Sequence, residues 1–124
     1  MGLFTVEQAR QVLDDLRPVL DDVVRWRADA AEIGAALRGG APSALGGLAE
    51  LKAVQARLDD ALTAVQQTGA DLKGLAPLLL DFSCELEGQT VLLCWLEGEP
   101  ELAWYHRTDL GIAGRRPLPV NPAN

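Results

Sequence analysis

Apolar residues recur at intervals of three and four along the first third of the chain, a spacing typical of an amphipathic helix. Thr5 and Gln8 match the capping box that opens such a helix, so the pattern predicts helix one over about 6–37. Pro18 lies inside it and is expected to bend the helix, because the apolar stripe keeps its phase across the proline. The stripe consists of Ala9, Leu13, Leu16, Leu20, Val23, Ala30 and Leu37.

A second apolar stripe follows a break rich in glycine and proline at residues 39–43. It predicts helix two over about 44–68, and Gly69 is well placed to end it as the residue just beyond the last turn. The two helices are therefore expected to form a long antiparallel hairpin. Helix one would be about 45 Å long, and a two-helix hairpin of that length cannot cover both of its apolar flanks. This predicts a homodimer formed through the helices.

After Pro77 the apolar period changes from helical to two-fold, which is typical of β-strands. Strands are predicted over about 78–86, 89–96 and 102–106, with tight turns at Glu87-Gly88 and around Gly98. The expected fold is therefore α+β and mainly helical: a long antiparallel helical hairpin followed by a small three-stranded antiparallel β-meander. Residues 1–118 should form one domain, and residues 119–124 are expected to be a flexible tail.

The turns also predict which residues face each other across the sheet. A two-residue turn at Glu87-Gly88 places Cys84 opposite Val91, and the next turn places His106 opposite Val91 from the other side. Cys84 and His106 would then share the apolar face, and Cys94 would lie on the other, mixed face. Cysteines on opposite faces exclude an intramolecular disulfide.

Charge and hydropathy exclude several classes of function. The 124 residues carry a formal net charge of −7, which argues against nucleic-acid phosphates and anionic membrane surfaces as partners. The first residues match no secretory signal, and no apolar run approaches the length of a membrane span. Two cysteines are too few for a disulfide scaffold. We therefore expect a cytoplasmic protein.

Candidate ligand-binding residues cluster in the last third of the chain. His106 could combine with Cys84 and Glu7 in a metal site, although recognisable metal-ligand spacing is absent and a buried histidine with one hydrogen bond is commoner. Glu97, Glu99 and Glu101 surround one turn, where they could bind a cation or could simply be solvated.

Two interpretations are open for each of three further residues, Arg115, Arg116 and Cys94. Arg115 and Arg116 could bind an anion or tie the tail to acidic helices by ion pairs. Cys94 could be a reactive thiol, but a thiol without a nearby base is more often inert. The chain has neither a phosphate-binding glycine loop nor a recognisable catalytic triad.

The chain also carries, in order, Phe4-Thr5, Leu16-Arg17-Pro18, Asp81-Phe82, Leu93-Cys94-Trp95, Gly98-Glu99-Pro100-Glu101, Trp104 with His106, and Gly114-Arg115. Together these elements resemble a prokaryotic family, the one catalogued as domain of unknown function 2203. The resemblance implies no reaction, substrate or cofactor. It does imply that certain positions matter, and these are Glu7, Cys94, Trp95, Gly98, Glu99, Glu101, His106 and Arg115.

Two functions of different classes are compatible with these observations. The first is a homodimeric interaction or adaptor module without catalytic activity, cofactor or metal. The alternative is a metal- or small-ligand-binding enzyme that uses a Glu/His/Arg cluster near the meander. A regulatory small-molecule binder would need an apolar pocket between the sheet and the hairpin. The candidate site residues are Glu7, Cys94, Trp95, Glu99, Glu101, His106 and Arg115.

Overall fold

The computed structural model describes residues 3–119, which divide into two units. One unit combines the residues up to Asp15 with those from Gln66 onward, and the other comprises residues Leu16–Val65. The predicted tail falls mainly on residues 120–124, which lie outside the described residues. The elements are α1 (Val6–Gly39), α2 (Leu48–Gln67), β1 (Asp71–Leu75), β2 (Leu78–Leu86), β3 (Gln89–Leu96), β4 (Trp104–Arg107), a 3₁₀ turn (Ile112–Gly114) and β5 (Arg116–Pro117).

Helix α1 begins with the predicted capping box. The Thr5 amide donates to Gln8 Oε1 and the Gln8 amide donates to Thr5 Oγ1, both at 3.0 Å, so two amides of the first turn have side-chain partners. Pro18 lies within the helix and is exposed. The helix continues through this proline to Gly39, which confirms one long helix rather than two.

The unit of residues 16–65 is the helical hairpin. Helix α2 begins at Leu48, later than the predicted 44, because Gly46 has φ +120° and the Gly47 amide donates to Glu50 Oε1 at 2.8 Å. No helix in the described part of the chain has an apolar stretch long enough to cross a bilayer. The buried side chains of this unit are Leu16, Leu20, Val23, Ile33, Val54, Ala61 and Val65.

The apolar stripe of the hairpin is buried in some places and exposed in others. Leu20 and Val23 are buried within the single chain, whereas Leu37, Leu45 and Leu48 are 47%, 42% and 59% exposed. A homodimer through the helices is not tested by one chain and stays a prediction.

The sheet is antiparallel and has five strands in the order β1-β2-β3-β4-β5. The α+β class is confirmed, but the prediction of three strands is wrong. Strand β1 was missed because its pairing with β2 is interrupted between Leu72 and Gly74, which disturbs the two-residue alternation that marks a strand. Strand β5 has only two residues, too few to give a pattern.

The β2–β3 hairpin has the predicted register, with Cys84 opposite Val91. Glu87 and Gly88 form its turn with φ of 53° and 81°, the positive values that a two-residue hairpin turn requires. Both strands have the predicted bounds.

The predicted register between β3 and β4 is wrong by one residue. His106 lies opposite Leu92, not Val91, because the connection after β3 is longer than predicted and β4 begins at Trp104 rather than Leu102. A shift of one residue moves every side chain of a strand to the other face. His106 therefore lies on the same face as Cys94 and opposite to Cys84.

The apolar face of the sheet packs against the N-terminal segment of the same unit. The Phe4 ring meets the Phe82 ring edge-on, with centroids 5.3 Å apart, and the Phe4 amide donates to the Ser83 carbonyl at 2.7 Å. Arg10 Nε donates to the Leu102 carbonyl at 3.2 Å. These contacts attach the first turns of α1 to the sheet. The site described next lies on the other face of the sheet.

Candidate metal centre

Three buried side chains from adjacent strands meet on the second face of the sheet. Asp81 on β2 lies directly opposite Cys94 on β3, and His106 on β4 lies one row away, opposite Leu92. Asp81, Cys94 and His106 are 3%, 0% and 4% exposed. One ligand atom from each side chain lies within 4.8 Å of the other two.

Both ring nitrogens of His106 face hydrogen-bond acceptors. Nδ1 lies 2.8 Å from the carbonyl oxygen of Arg107, and a carbonyl can only accept, so Nδ1 carries the hydrogen. Nε2 lies 3.3 Å from each carboxylate oxygen of Asp81. An Nε2 lone pair facing a carboxylate is repulsive, so this contact is favourable with a proton or a metal ion between the two groups.

The Cys94 thiol is held in its neutral form. Burial and then the Asp81 carboxylate, through its charge and a hydrogen bond, together raise the pKa of Cys94 to about 12, against a smaller lowering by Arg115. A thiol with this pKa is not a nucleophile near neutral pH. A Cys-His-Asp triad would also need the carboxylate and the thiol on different ring nitrogens, but the Arg107 carbonyl occupies Nδ1. A reactive Cys94 is therefore not supported.

The separation of His106 from Asp81 fits two ligands of a first-row divalent metal. Two ligand atoms on a tetrahedral ion with bonds of about 2.0–2.1 Å lie about 3.3 Å apart, which is the separation between Nε2 and the Asp81 oxygens. Imidazole, thiolate and carboxylate together are a donor set that suits zinc. The bond from Nδ1 to a backbone carbonyl is the second contact that metal-bound histidines usually make, and it orients Nε2 as the ligand.

A cavity of about 250 Å³ opens over this cluster. Asp81 and His106 line it, so they connect the buried site with the outside of the molecule. The remaining lining residues come from β1, from the middle strands and from the segment after β4: Lys73, Leu79, Leu92, Thr108, Leu110, Gly111 and Ile112.

Arg115 and Glu99, two predicted site residues, form an ion pair beside the cluster. Arg115 Nη2 donates to Glu99 Oε1 at 2.6 Å and to Oε2 at 2.8 Å, and the guanidinium lies 4.8 Å from the centroid of the Trp104 ring. Glu99 Oε1 also accepts from the Leu96 amide at 2.7 Å, and Arg115 Nη2 lies 3.4 Å from the Cys94 carbonyl. Both charged groups thus fix the backbone of β3 behind the site. Arg115 does form an ion pair, but with Glu99 just after β3 rather than with the acidic helices of the prediction.

The remaining predicted residues lie elsewhere. Glu7 and Glu101 are exposed and do not belong to the metal-ligand cluster. Trp95 is buried, and its Nε1 donates to the Glu99 carbonyl at 2.9 Å. The combination of His106 with Cys84 and Glu7 is wrong, because Cys84 lies on the opposite face of the sheet.

Asp81 is the site residue that the sequence interpretation missed. It is the one charged residue in the run Leu78–Cys84 of β2, with Leu80 before it and Phe82 after it. A carboxylate in the middle of a buried strand is costly unless it has a partner, so this position could have been recognised as functional.

The comparisons with known proteins identify the family alone. A family model described as an uncharacterised conserved protein (DUF2203) matches residues 2–118, and the chain belongs to this family. Neither a curated protein nor a solved structure matches the chain.

Proposed function

We propose that this member of the DUF2203 family binds one divalent transition metal ion between Asp81, Cys94 and His106, with zinc favoured by the donor set. The observation that carries the proposal is the environment of the His106 ring. Its Nδ1 is committed to a carbonyl at 2.8 Å, and its Nε2 points at both carboxylate oxygens of Asp81 from 3.3 Å.

A proton on Nε2 is the simplest competing cation. An imidazolium hydrogen bond to a single carboxylate oxygen is normally about 2.7–2.9 Å long, whereas Nε2 lies 3.3 Å from each of the two oxygens of Asp81. With a proton on Nε2 the Cys94 thiol is only a hydrogen-bond donor to Asp81, whereas a metal ion would take Sγ, Nε2 and a carboxylate oxygen together. The metal accounts for all three buried groups.

Three protein ligands leave one position of a tetrahedral metal open, which is the arrangement of zinc sites that act on a ligand. Because Asp81 and His106 line the cavity, the open position would face it. The function that this geometry supports is therefore metal-dependent binding of a small ligand rather than a purely structural metal.

Zinc stoichiometry tests the proposal directly. The protein would be purified without chelators or a metal-affinity tag, loaded with zinc, dialysed, and analysed by elemental mass spectrometry. We expect one zinc per chain for the wild type and a loss of bound zinc in Cys94→Ser, Asp81→Asn and His106→Gln. With cobalt in place of zinc, a thiolate-to-metal charge-transfer band should appear and should be absent in Cys94→Ser.

Cys84→Ser is the matched control. Cys84 is buried like Cys94 and belongs to the same sheet, in β2, but its side chain lies on the opposite face. This variant should keep one zinc and the cobalt charge-transfer band. Circular dichroism on each variant separates loss of metal from loss of fold. A wild-type protein that retains no zinc after loading, or that binds it equally well as Cys94→Ser, would overturn the proposal.

Self-association through the helices remains a separate prediction, with an adaptor role as its functional consequence. The three leucines exposed in the helical unit, Leu37, Leu45 and Leu48, support it as apolar surface available to a second copy. Sedimentation velocity at micromolar concentration should show a dimer that Leu37→Ser with Leu48→Ser weakens. A monomer under these conditions would contradict it without bearing on the metal site.

A further inference from the structure

The cavity over the metal cluster combines apolar walls with one cationic side chain. Leu79 and Leu92 come from the sheet, while Leu110 and Ile112, each 41% exposed, come from the segment that follows β4. Lys73 is the cation, and it is one of only two lysines in the chain. A mostly apolar cavity with a few polar groups is the usual form of a small-ligand site.

A β-bulge places Lys73 at this cavity. In the pairing of β1 with β2, Leu72 lies opposite Leu80 and Gly74 lies opposite Leu79, so Lys73 is the extra residue. Bulges re-aim a side chain and are common beside functional sites. A Cβ on Gly74 would lie 3.1 Å from the Pro77 carbonyl and 3.4 Å from Leu79 Cβ, so the bulge also depends on a small residue after Lys73.

The charges around the cavity define the ligand class. A divalent ion balances the Asp81 carboxylate and the Cys94 thiolate, and Lys73 then leaves one uncompensated positive charge. Lys73 and Asp71 are both exposed at the edge of the sheet. Lys73 lines the cavity, whereas Asp71, which lies opposite Asp81 in the β1–β2 pairing, is not among its lining residues. A single negative charge on the ligand therefore neutralises the loaded site.

We infer that the cavity binds a small monocarboxylate with an apolar body. One carboxylate oxygen takes the open position of the metal, the other accepts from the Lys73 ammonium, and the apolar body lies against the leucines of the cavity. This inference rests on the proposed metal site and adds the ligand class to it.

The volume sets the size of the ligand. A cavity of 250 Å³ has room for about eight water molecules at roughly 30 Å³ each. A single ring or a short branched chain fits within this space.

The test uses the intact protein loaded with cobalt, whose visible absorption reports both metal binding and changes at its open position. The cobalt spectrum is recorded first, and benzoate is then titrated as the probe, with benzamide as its neutral control. We expect a saturable change in the cobalt bands with benzoate and little change with benzamide. Lys73→Gln should weaken benzoate binding at least about tenfold while cobalt affinity stays the same.

Lys52→Gln, which removes the other lysine, from helix α2, is the matched control and should bind benzoate like the wild type. A cobalt-loaded protein whose spectrum does not respond to benzoate, or a Lys73→Gln variant with unchanged benzoate affinity, would overturn this inference and leave the metal site standing. Failure to bind cobalt at all would overturn the metal site and the ligand assignment with it. The cobalt spectrum recorded before benzoate is added distinguishes this outcome from a failure to bind benzoate.

Discussion

The neutral state of the Cys94 thiol makes a quantitative prediction about stability at alkaline pH. Folding raises the pKa of this group from 9.0 to about 12, mainly by burial and by the Asp81 charge. Above pH 9 the unfolded chain loses this proton while the folded chain keeps it, so the unfolded state binds fewer protons. The free energy of unfolding should therefore fall as pH rises between about 9 and 12.

The magnitude follows from the size of the pKa shift. Three pKa units correspond to about 4 kcal/mol once the pH has passed both values, and at pH 10 about 1.4 kcal/mol of this has already been lost. At pH 8 the loss is close to zero. A change from pH 8 to pH 10 therefore captures a measurable share of the effect.

Urea unfolding followed by circular dichroism at pH 8 and pH 10 measures this difference. A reductant and a chelator keep the thiols free of disulfides and metal. The loss of stability between the two pH values should be about 1.4 kcal/mol smaller in Cys94→Ala than in the wild type, because other groups titrate alike in both proteins. The cost of the truncation itself cancels in this comparison.

Cys84→Ala is the control for this measurement. Burial and the charge of Glu85 also raise the pKa of Cys84. Cys84→Ala therefore loses the part of the pH dependence that Cys84 causes but keeps the part that Cys94 causes. An equal pH dependence in the wild type and Cys94→Ala would refute the burial argument, because the pKa of Cys94 would then be the same in the folded and unfolded states.

Three further variants test the contacts that support the site and the fold. Glu99→Gln should lower the free energy of unfolding by about 2 kcal/mol, because the Arg115 guanidinium at 2.6 Å would lose its charged partner at a mostly buried position. Asp109→Asn breaks the ion pair of Asp109 with Arg107, which is equally short at 2.6 Å but about 60% exposed, and should cost about 0–1 kcal/mol of stability. Similar losses of stability in Glu99→Gln and Asp109→Asn would contradict the role of burial. Thr5→Ala removes one side of the capping box and should cost about 1 kcal/mol, and an unchanged thermal midpoint would show that the box does not stabilise α1.

The structure groups the candidate residues differently from the predicted Glu/His/Arg cluster. His106 and Cys94 were both candidates but were predicted on opposite faces; the structure brings them together with Asp81, while Glu99 and Arg115 pair with each other. Glutamates near a turn and arginines near a tail are chemically suited to many partners. Which partner each of them contacts depends on distances in the folded chain, and the spacing of residues along the sequence does not give these distances.

The sequence by itself determined the elements whose pattern is local. The capping box, the stripe of α1 and the turn at Glu87-Gly88 each depend on residues a few positions apart, and each predicted structure is present. In β2 and β3 the apolar residues strongly favour one face, so the register of this hairpin followed from the pattern.

Only the tertiary structure decided which way β4 faces. Trp104 and His106 on one side, and Tyr105 and Arg107 on the other, each combine an aromatic and a basic residue, so burial preference does not distinguish the two registers. The length of the connection after β3 determines the register of β4. A shift of one residue moves His106 from the face that carries Cys84 to the face that carries Asp81 and Cys94. The candidate site therefore depends on a long-range pairing rather than on any motif in the chain.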